Sequence, residues 1–312
     1  MSQTTVGRTS AMKTTRQSII VVAILTTLWF APSLALAEFP GKHPFPGITY
    51  QQETLKDPPM QLFIAEVNLT KPNVKVHVSR GGPDPDGPGE WETTLIEPTK
   101  AAAREGFDLV VNGDFFKVRN VEETDTFKPH YRADMWAAVV GPAVTDSRVW
   151  STSKERTPCL VVRKDGRVII EMIDTPSADA EEVIAGNILL VEKGKPISHE
   201  NNKARFPRTV VGLNKKNTRL VVMVVDGRKP GVSIGMTLEE LARKLVRLGC
   251  YAAFNLDGGG SSIMALRDPA DGKYHILNTP STGRERAVAN VLGVTVENEK
   301  KKYARVSDAS KK

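Results

Sequence analysis

Two cysteines in 312 residues exclude a disulfide framework. Cys159 and Cys250 both lie in apolar, strand-like runs. Either they pair in an oxidising compartment or they stay as two buried thiols. Histidine is also scarce: among His43, His77, His130, His199 and His275 no two have metal-ligand spacing. The sequence therefore assigns no metal site and no cofactor, although carboxylates gathered at a strand rim would leave a divalent cation open. Repeats of roughly 20–50 residues are missing, which removes solenoids and propellers. The formal charge is +7, but Arg8, Lys13 and Arg16 stand in the first 37 residues with no acid beside them. The remaining excess is mild and gives no argument for a nucleic-acid partner.

Long apolar runs are missing except near the N-terminus. Ile19 to Phe30 is apolar apart from Thr26 and Thr27, follows Lys13 and Arg16, and precedes Ala35-Leu36-Ala37, a small-x-small cleavage pattern. The run falls short of the roughly 20 apolar residues of a spanning helix. Residues 1–37 are thus expected to be a signal peptide, with export to the periplasm or outside the cell. Membrane association is expected only through this segment, should it stay uncleaved as an anchor.

What is present centres on Phe254-Asn255-Leu256-Asp257-Gly258-Gly259-Gly260-Ser261-Ser262. Thr237 and Glu240 form a capping-box pair ahead of it, and Leu238, Leu241, Leu245 and Leu248 recur at helical spacing. Gly249 suits a left-handed residue after the helix. A short buried strand is expected from Cys250 to Leu256, placing Asp257 at its end. Three consecutive glycines expose backbone N–H groups to an anion, and Ser261 and Ser262 add hydroxyl donors. The loop is not a nucleotide P-loop, because no Lys-Ser/Thr follows, and not a nucleophile elbow, because no serine stands between glycines.

A second stretch repeats the design. Pro98 to Glu105 reads as a helix closed by Gly106, and Asp108 to Val111 as a strand ending in Asn112-Gly113-Asp114-Phe115-Phe116. Asn112 and Asp114 are two apart, as are Asn255 and Asp257, so side-by-side strand ends would gather two carboxylates and two amides. Residues 38–59 look like a polar lead-in. Gln61–Leu69 and Val74–Ser79 read as a strand pair turned by Thr70-Lys71-Pro72-Asn73. Arg80 to Glu90 is loop; Asp84 and Asp86 supply too few acids for a calcium loop. Hairpins are expected at Lys164-Asp165-Gly166-Arg167 and Glu192-Lys193-Gly194-Lys195. Arg219 to Val225 and Val291 to Val296 are further strands, and 299–312 is a charged tail. The expected fold is α+β: one domain, residues 60–298, with a mixed, strand-rich sheet core flanked by a few helices.

The series Asn112-Gly-Asp-Phe-Phe, Pro207-Arg-Thr-Val-Val-Gly, Val225-Asp-Gly-Arg, Ser233-Ile-Gly-Met-Thr, Asn255-Leu-Asp-Gly-Gly-Gly-Ser-Ser and Arg286-x-Val-x-Asn resembles the phosphodiester glycosidase family. The resemblance covers roughly residues 60–296 in the family's order. One position departs from the usual pattern: Asp114 stands where a glycine is common, which either adds an acid to the site or signals a different substrate.

The resemblance implies hydrolysis at an anomeric carbon whose leaving group is a phosphate ester, with a glycan or sugar-phosphodiester as substrate. Such a leaving group needs cations and N–H donors, which Arg208, Arg286 and the Gly258–Ser262 loop can supply. An oxocarbenium-like transition state needs a nearby carboxylate. Asp257 is the first choice, with Asp226 and Asp114 competing for the second acidic role. Asn112, Asn255 and Asn290 suit sugar hydroxyls or an N-acetyl group. Blander readings exist: Asp226 in a turn, Arg208 paired with a structural acid, Asn290 satisfying buried backbone. Two other functions also stay open, a metal-dependent phosphodiesterase cutting the P–O bond and a glycan-binding module without turnover.

Overall fold

The computed structural model describes residues 40–120, 131–199 and 201–297. The expected signal peptide (1–37), the charged tail (299–312) and His130 lie outside the described residues. Strands β1 (Ile48–Lys56), β2 (Pro59–Asn68), β3 (Val74–Arg80) and β4 (Thr93–Thr94) come first, then helix α1 (Pro98–Glu105). β5 (Leu109–Asn112), β6 (Phe116–Val118), β7 (Trp136–Val139), β8 (Ala143–Thr145) and β9 (Arg148–Ser151) follow. Next are β10 (Thr157–Arg163), β11 (Val168–Ile173), β12 (Ala180–Ala185), β13 (Ile188–Glu192) and β14 (Lys195–Pro196). The last part holds β15 (Arg208–Leu213), β16 (Arg219–Val225), α2 (Leu238–Arg247), β17 (Ala252–Asn255), β18 (Met264–Arg267), β19 (Tyr274–Ile276) and β20 (Asn290–Val296).

These strands make four sheets, not one. A seven-stranded sheet runs β1-β2-β16-β15-β17-β13-β14, and two five-stranded sheets run β11-β10-β12-β8-β9 and β19-β18-β5-β20-β3. A three-stranded sheet runs β4-β7-β6. Among the described residues every named strand pairing is antiparallel, so the expected mixed sheet is corrected. Parallel neighbours need long crossovers, usually helical, and the described residues contain only α1 and α2. The class is strand-dominated, with helices as outer layers.

Alternation within β16 shows how the layers form. Leu220, Val222 and Val224 face one core with Phe63 and Val67 of β2, Val76 of β3, Val111 of β5, Leu160 of β10 and Leu292 of β20. Val221, Met223 and Val225 face the opposite way onto Leu238, Leu241 and Leu245 of α2. Burial on both faces explains why Arg219–Val225 is apolar almost throughout. Helix α2 starts with the expected capping box, Thr237 Oγ1 accepting from Glu240 N–H and Glu240 Oε2 from Thr237 N–H. Its end is followed by Gly249 at φ +78°.

Two expectations change. The segment 38–59 is not only a lead-in, because β1 pairs with β2 from Ile48↔Val67 to Lys56↔Pro59. Only Ile48 and Tyr50 of this edge strand are buried, and the polar run after them hides it in the sequence. Nor do β2 and β3 pair with each other. β2 lies between β1 and β16, while β3 pairs with β20, so the 70–73 turn carries the chain from one sheet to another. Cys159 and Cys250 are free and buried, which settles their alternative in favour of thiols. No helix of the described residues is long and apolar enough to cross a membrane.

Candidate active site

The ends of β5 and β17 belong to different sheets and meet at the rim of the main core. Asn112 closes the junction: its Nδ2 donates to Asp257 O at 2.7 Å, and its Oδ1 accepts from Thr209 Oγ1 at 2.7 Å and Ile263 N–H at 3.2 Å. Asp257 N–H in turn donates to Gly113 O at 3.0 Å. The repeated Asn-x-Asp pattern therefore does bring Asp114 and Asp257 to one place. Asn112 is fully buried, and its amide is committed to holding the two strand ends together.

Asp114 is buried behind this junction. Its Oδ1 accepts from Phe115 N–H at 2.7 Å and its Oδ2 from Gly141 N–H at 2.8 Å. Burial raises its pKa to about 7 against the pull of these two donors, with the nearby Asp257 charge adding to the rise. Asp257 keeps some solvent contact at the residue level, yet burial among protein atoms still raises its carboxyl pKa to about 6. Ser261, Gly258 N–H (2.7 Å) and the charges of Arg286 and Arg228 oppose that rise. Two carboxylates thus sit in one electrostatic unit with both pKa values lifted toward neutrality.

The triple glycine works differently from the sequence expectation of an N–H cradle. Gly258 N–H is used by Asp257, Gly259 N–H by Pro207 O at 2.9 Å and Ser261 N–H by Gly258 O at 3.1 Å. What the missing side chains leave is room. A Cβ on Gly260 would stand 2.2 Å from Arg286 Nη2, and one on Gly259 3.0 Å from Arg228 Nη2. Gly259 also has φ +61°, and a Cβ on Gly258 would meet Pro207 O at 2.8 Å. The loop is bare so that two guanidinium groups can lie against it.

Arg286 stacks on Tyr131 (4.7 Å from guanidinium carbon to ring centre) and reaches Ser261 Oγ at 3.5 Å. Burial lowers its pKa, Asp257 counters that, and Arg228 lowers it further. Arg228 is exposed, at φ +61°, and lies 5.7 Å from the Phe206 ring. Arg208 is placed elsewhere. Its buried guanidinium donates to Met236 O at 3.3 Å and Ala204 O at 3.5 Å and lies 5.2 Å from Phe206, and burial lowers its pKa to about 10. The second arginine against the loop is thus Arg228, which the sequence reading saw only as part of an Asp-Gly-Arg turn. Its sequence signal was a basic residue three positions after a buried strand, too much like Arg208 at the start of β15 for the sequence to choose between them.

Asp226 is buried among donors. It accepts from Asn278 Nδ2 at 3.1 Å and from Thr279 N–H at 3.0 Å on both oxygens. Asn278 also donates to Ser262 O at 3.1 Å, so Asp226 braces the far end of the loop. Burial raises its pKa, and these bonds with Lys229 counter the rise. Asn255 Nδ2 donates to Asn187 Oδ1 (3.0 Å) and Leu256 O (2.8 Å). Asn290 Oδ1 accepts from Asp114 N–H at 2.8 Å, while its Nδ2, like Ser262 Oγ and Asn255 Oδ1, is buried without a protein partner among the described residues. Elsewhere, Asp268, Asp271 and His275 bring potential ligand atoms within 4.8 Å of one another in the β18–β19 hairpin, a grouping that histidine spacing alone did not reveal. A cavity of about 290 Å³ beside His77 and Glu182, and a wider, more open one of about 620 Å³ beside Glu66 and Arg219, are lined by none of the arginines or aspartates of this site.

Carboxylates and guanidinium groups thus converge on the Gly-Gly-Gly-Ser-Ser loop of a strand-dominated fold. The phosphodiester glycosidase family model matches residues 105–295, and the chain belongs to that family. Among curated relatives it is 26% identical over 208 residues to the Bos taurus N-acetylglucosamine-1-phosphodiester alpha-N-acetylglucosaminidase, covering 59% of this chain and 36% of the relative. It is 36% identical over 124 residues to the SPbeta prophage-derived uncharacterized protein YomE of Bacillus subtilis (strain 168), covering 38% of this chain and 18% of that protein. The chain thus spans a minor part of the length of either. The catalytic domain of the zebrafish N-acetylglucosamine-1-phosphodiester alpha-N-acetylglucosaminidase, auto-inhibited by its pro-peptide, has a similar fold (TM-score 0.53, 22% identity, 83% of this chain and 86% of that one).

Proposed function

We propose that this protein is an exported hydrolase that cleaves the bond between an anomeric carbon and a phosphate ester, in a GlcNAc-1-phosphodiester or a related envelope or extracellular glycan. One observation carries the reading: Asp257 shares its electrostatic surroundings with a second carboxylate, Asp114, and with two guanidinium groups, Arg286 and Arg228. In the reaction the C1–O bond breaks with its electron pair leaving on the phosphate monoester. The guanidinium groups stabilise that charge as it develops. Asp257, ionised, faces the positive charge forming on the sugar and receives the proton as water's oxygen becomes bonded to C1. Asp114 takes the second acidic role by keeping its proton near neutral pH, so that the carboxylate pair carries one negative charge; the proton from water stays on Asp257 and the monoester leaves as its anion. Asp226 acts through Asn278 on the loop and does not reach the reacting atoms.

Hydrolysis of an aryl or alkyl GlcNAc-1-phosphodiester, abolished in Asp257→Ala with the circular-dichroism spectrum unchanged, is the expected result. In ¹⁸O-labelled water the label enters the sugar. Label in the phosphate would instead identify P–O cleavage and overturn the proposal.

A further inference from the structure

Phe206 is a large apolar side chain 40% exposed at the edge of the site. Its ring lies against two cations, Arg208 at 5.2 Å on the buried side and the exposed Arg228 at 5.7 Å. The backbone beneath it is held from several directions. Phe206 N–H donates to Met236 O at 3.4 Å and Met236 N–H to Phe206 O at 3.1 Å. Neighbouring Arg205 donates to Gly235 O at 2.9 Å and pairs with Glu240, the capping residue of α2. Neighbouring Pro207 accepts from Gly259 N–H in the catalytic loop at 2.9 Å. Gly235 and Gly227 are pressed so close that a Cβ would stand 2.4 Å from Phe206 O and 2.7 Å from Pro207 N. An aromatic 40% exposed on so fixed a backbone is a platform with part of its surface free for a ligand, and holding the backbone in place beforehand lowers the cost of binding there.

Arg228 joins this platform to the chemistry. Its guanidinium lies against both Phe206 and the Gly259 position, and its charge acts on Asp257. A phosphate held by Arg228 therefore has the Asp257 loop on one side and the Phe206 ring on the other. The sugar whose anomeric carbon reacts belongs beside the carboxylate. The alcohol esterified on the far side of the phosphate is then left beside the ring.

Resting on the function proposed above, we infer that Phe206, together with Arg228, forms the leaving-group subsite and selects phosphodiesters whose alcohol carries a ring. A pyranose with a flat C–H face and an aryl group share the required chemistry, an apolar face that stacks on an aromatic beside a cation. A small acyclic alcohol has nothing to place there.

The test measures kcat/KM of wild type, Phe206→Ala and Phe206→Trp on GlcNAc-1-phosphodiesters of methanol, of phenol and of a hexose 6-hydroxyl. Wild type is expected to prefer the ring-bearing diesters. Phe206→Ala should lower kcat/KM on them about ten-fold or more while the methyl diester changes less than about two-fold, and Phe206→Trp should restore the preference. A fall limited to the phenyl or to the hexosyl diester identifies which ring the subsite takes. An equal fall on all three substrates, or no fall, overturns the inference, because Phe206 would then merely support Arg208 and Arg228. The companion measurement is calorimetric binding of the monoesters methyl phosphate, phenyl phosphate and hexose 6-phosphate, which needs no turnover. Tighter binding of a ring-bearing monoester that is lost in Phe206→Ala supports the subsite even if no diester is hydrolysed, in which case the proposed reaction alone fails. Equal binding of all three by wild type overturns the subsite itself.

Discussion

The guanidinium of Arg286 occupies the space that a side chain at Gly260 would need, with Nη2 only 2.2 Å from where the Cβ would stand. Gly259 bears the same relation to Arg228 at 3.0 Å, and Gly258 to the carbonyl of Pro207 at 2.8 Å. Each glycine of the triple thus answers to a different neighbour. The loop after Asp257 is therefore a fitted surface for cations, and its own N–H groups are largely spent on holding its shape.

Gly260→Ala follows directly. Because the obstructing atoms are the end of a long side chain, Arg286 can swing away from its place over Tyr131, and the fold survives. On the proposed function Arg286 holds the phosphate, and displacing such a cation costs about 10²-fold or more. The expected result is a loss of that size in kcat/KM with a melting temperature close to wild type. Gly41→Ala, at a position with nothing within 4 Å, is the matched control and should be neutral in both. Unchanged activity in Gly260→Ala would show that Arg286 has no part in the reaction.

The two carboxylates set the pH dependence. Asp257 must be ionised to face a developing cation, and its pKa is raised to about 6, so activity should rise through that pH. Asp114 is raised to about 7, and activity should fall as it loses its proton. The profile of kcat/KM is expected to be a narrow bell whose limbs belong to the coupled pair. In Asp114→Asn the alkaline limb should vanish while the acid limb stays near its wild-type position, because Asp114 is neutral where Asp257 titrates. An alkaline limb that persists would assign the second acidic role to another group.

Local structure was legible in this chain wherever one segment determines it. The capping box at Thr237 and Glu240, Gly249 after α2 and the 164–167 hairpin depend on neighbours in sequence. The meeting of Asp114 with Asp257 was also legible, because the same helix–strand–Asn-x-Asp order occurs twice. Sheet membership was not. A turn such as 70–73 shows that the chain reverses, but not that β2 joins β16 while β3 joins β20. The choice between Arg208 and Arg228 was equally hidden. Both flank strand ends, and only the packed fold shows that Arg208 turns inward to Met236 O, ahead of α2, while Arg228 stays at the surface beside Gly259. Asn112 looked like a sugar ligand because an amide suits hydroxyls, and it suits three buried backbone and hydroxyl partners just as well.

Those three partners make Asn112 a measurable clamp. Asn112→Ala removes bonds to Asp257 O, Thr209 Oγ1 and Ile263 N–H and leaves buried groups unpaired. The expected loss is about 3 kcal/mol or more, read from the shift in urea midpoint at constant slope. Asn112→Asp should be worse than alanine, since it sets a carboxylate oxygen against the carbonyl of Asp257 in place of a donor. A reversed order, or no destabilisation, would show that the strand ends are held together by something else.

Asp114 also ties stability to pH, with a sign opposite to the usual paired carboxylate. Its pKa in the folded chain, about 7, lies above the unfolded value near 3.8, so the folded state holds the proton more tightly. Below about pH 4 both states are protonated and the contribution is fully present. As pH rises the unfolded chain releases its proton first, and the stabilisation is lost progressively until the folded carboxyl titrates near 7. The full span is on the order of 4 kcal/mol. Asp114→Asn has no such titration. Its amide meets the Phe115 and Gly141 N–H groups with only one acceptor, which shifts its stability by a roughly constant amount at every pH. The informative quantity is therefore the slope: wild type should lose stability relative to Asp114→Asn between about pH 4 and pH 7, with the difference level above that. A difference independent of pH would mean that Asp114 is ionised in the folded protein throughout, held so by its two backbone donors, and would remove it from the proton-carrying role.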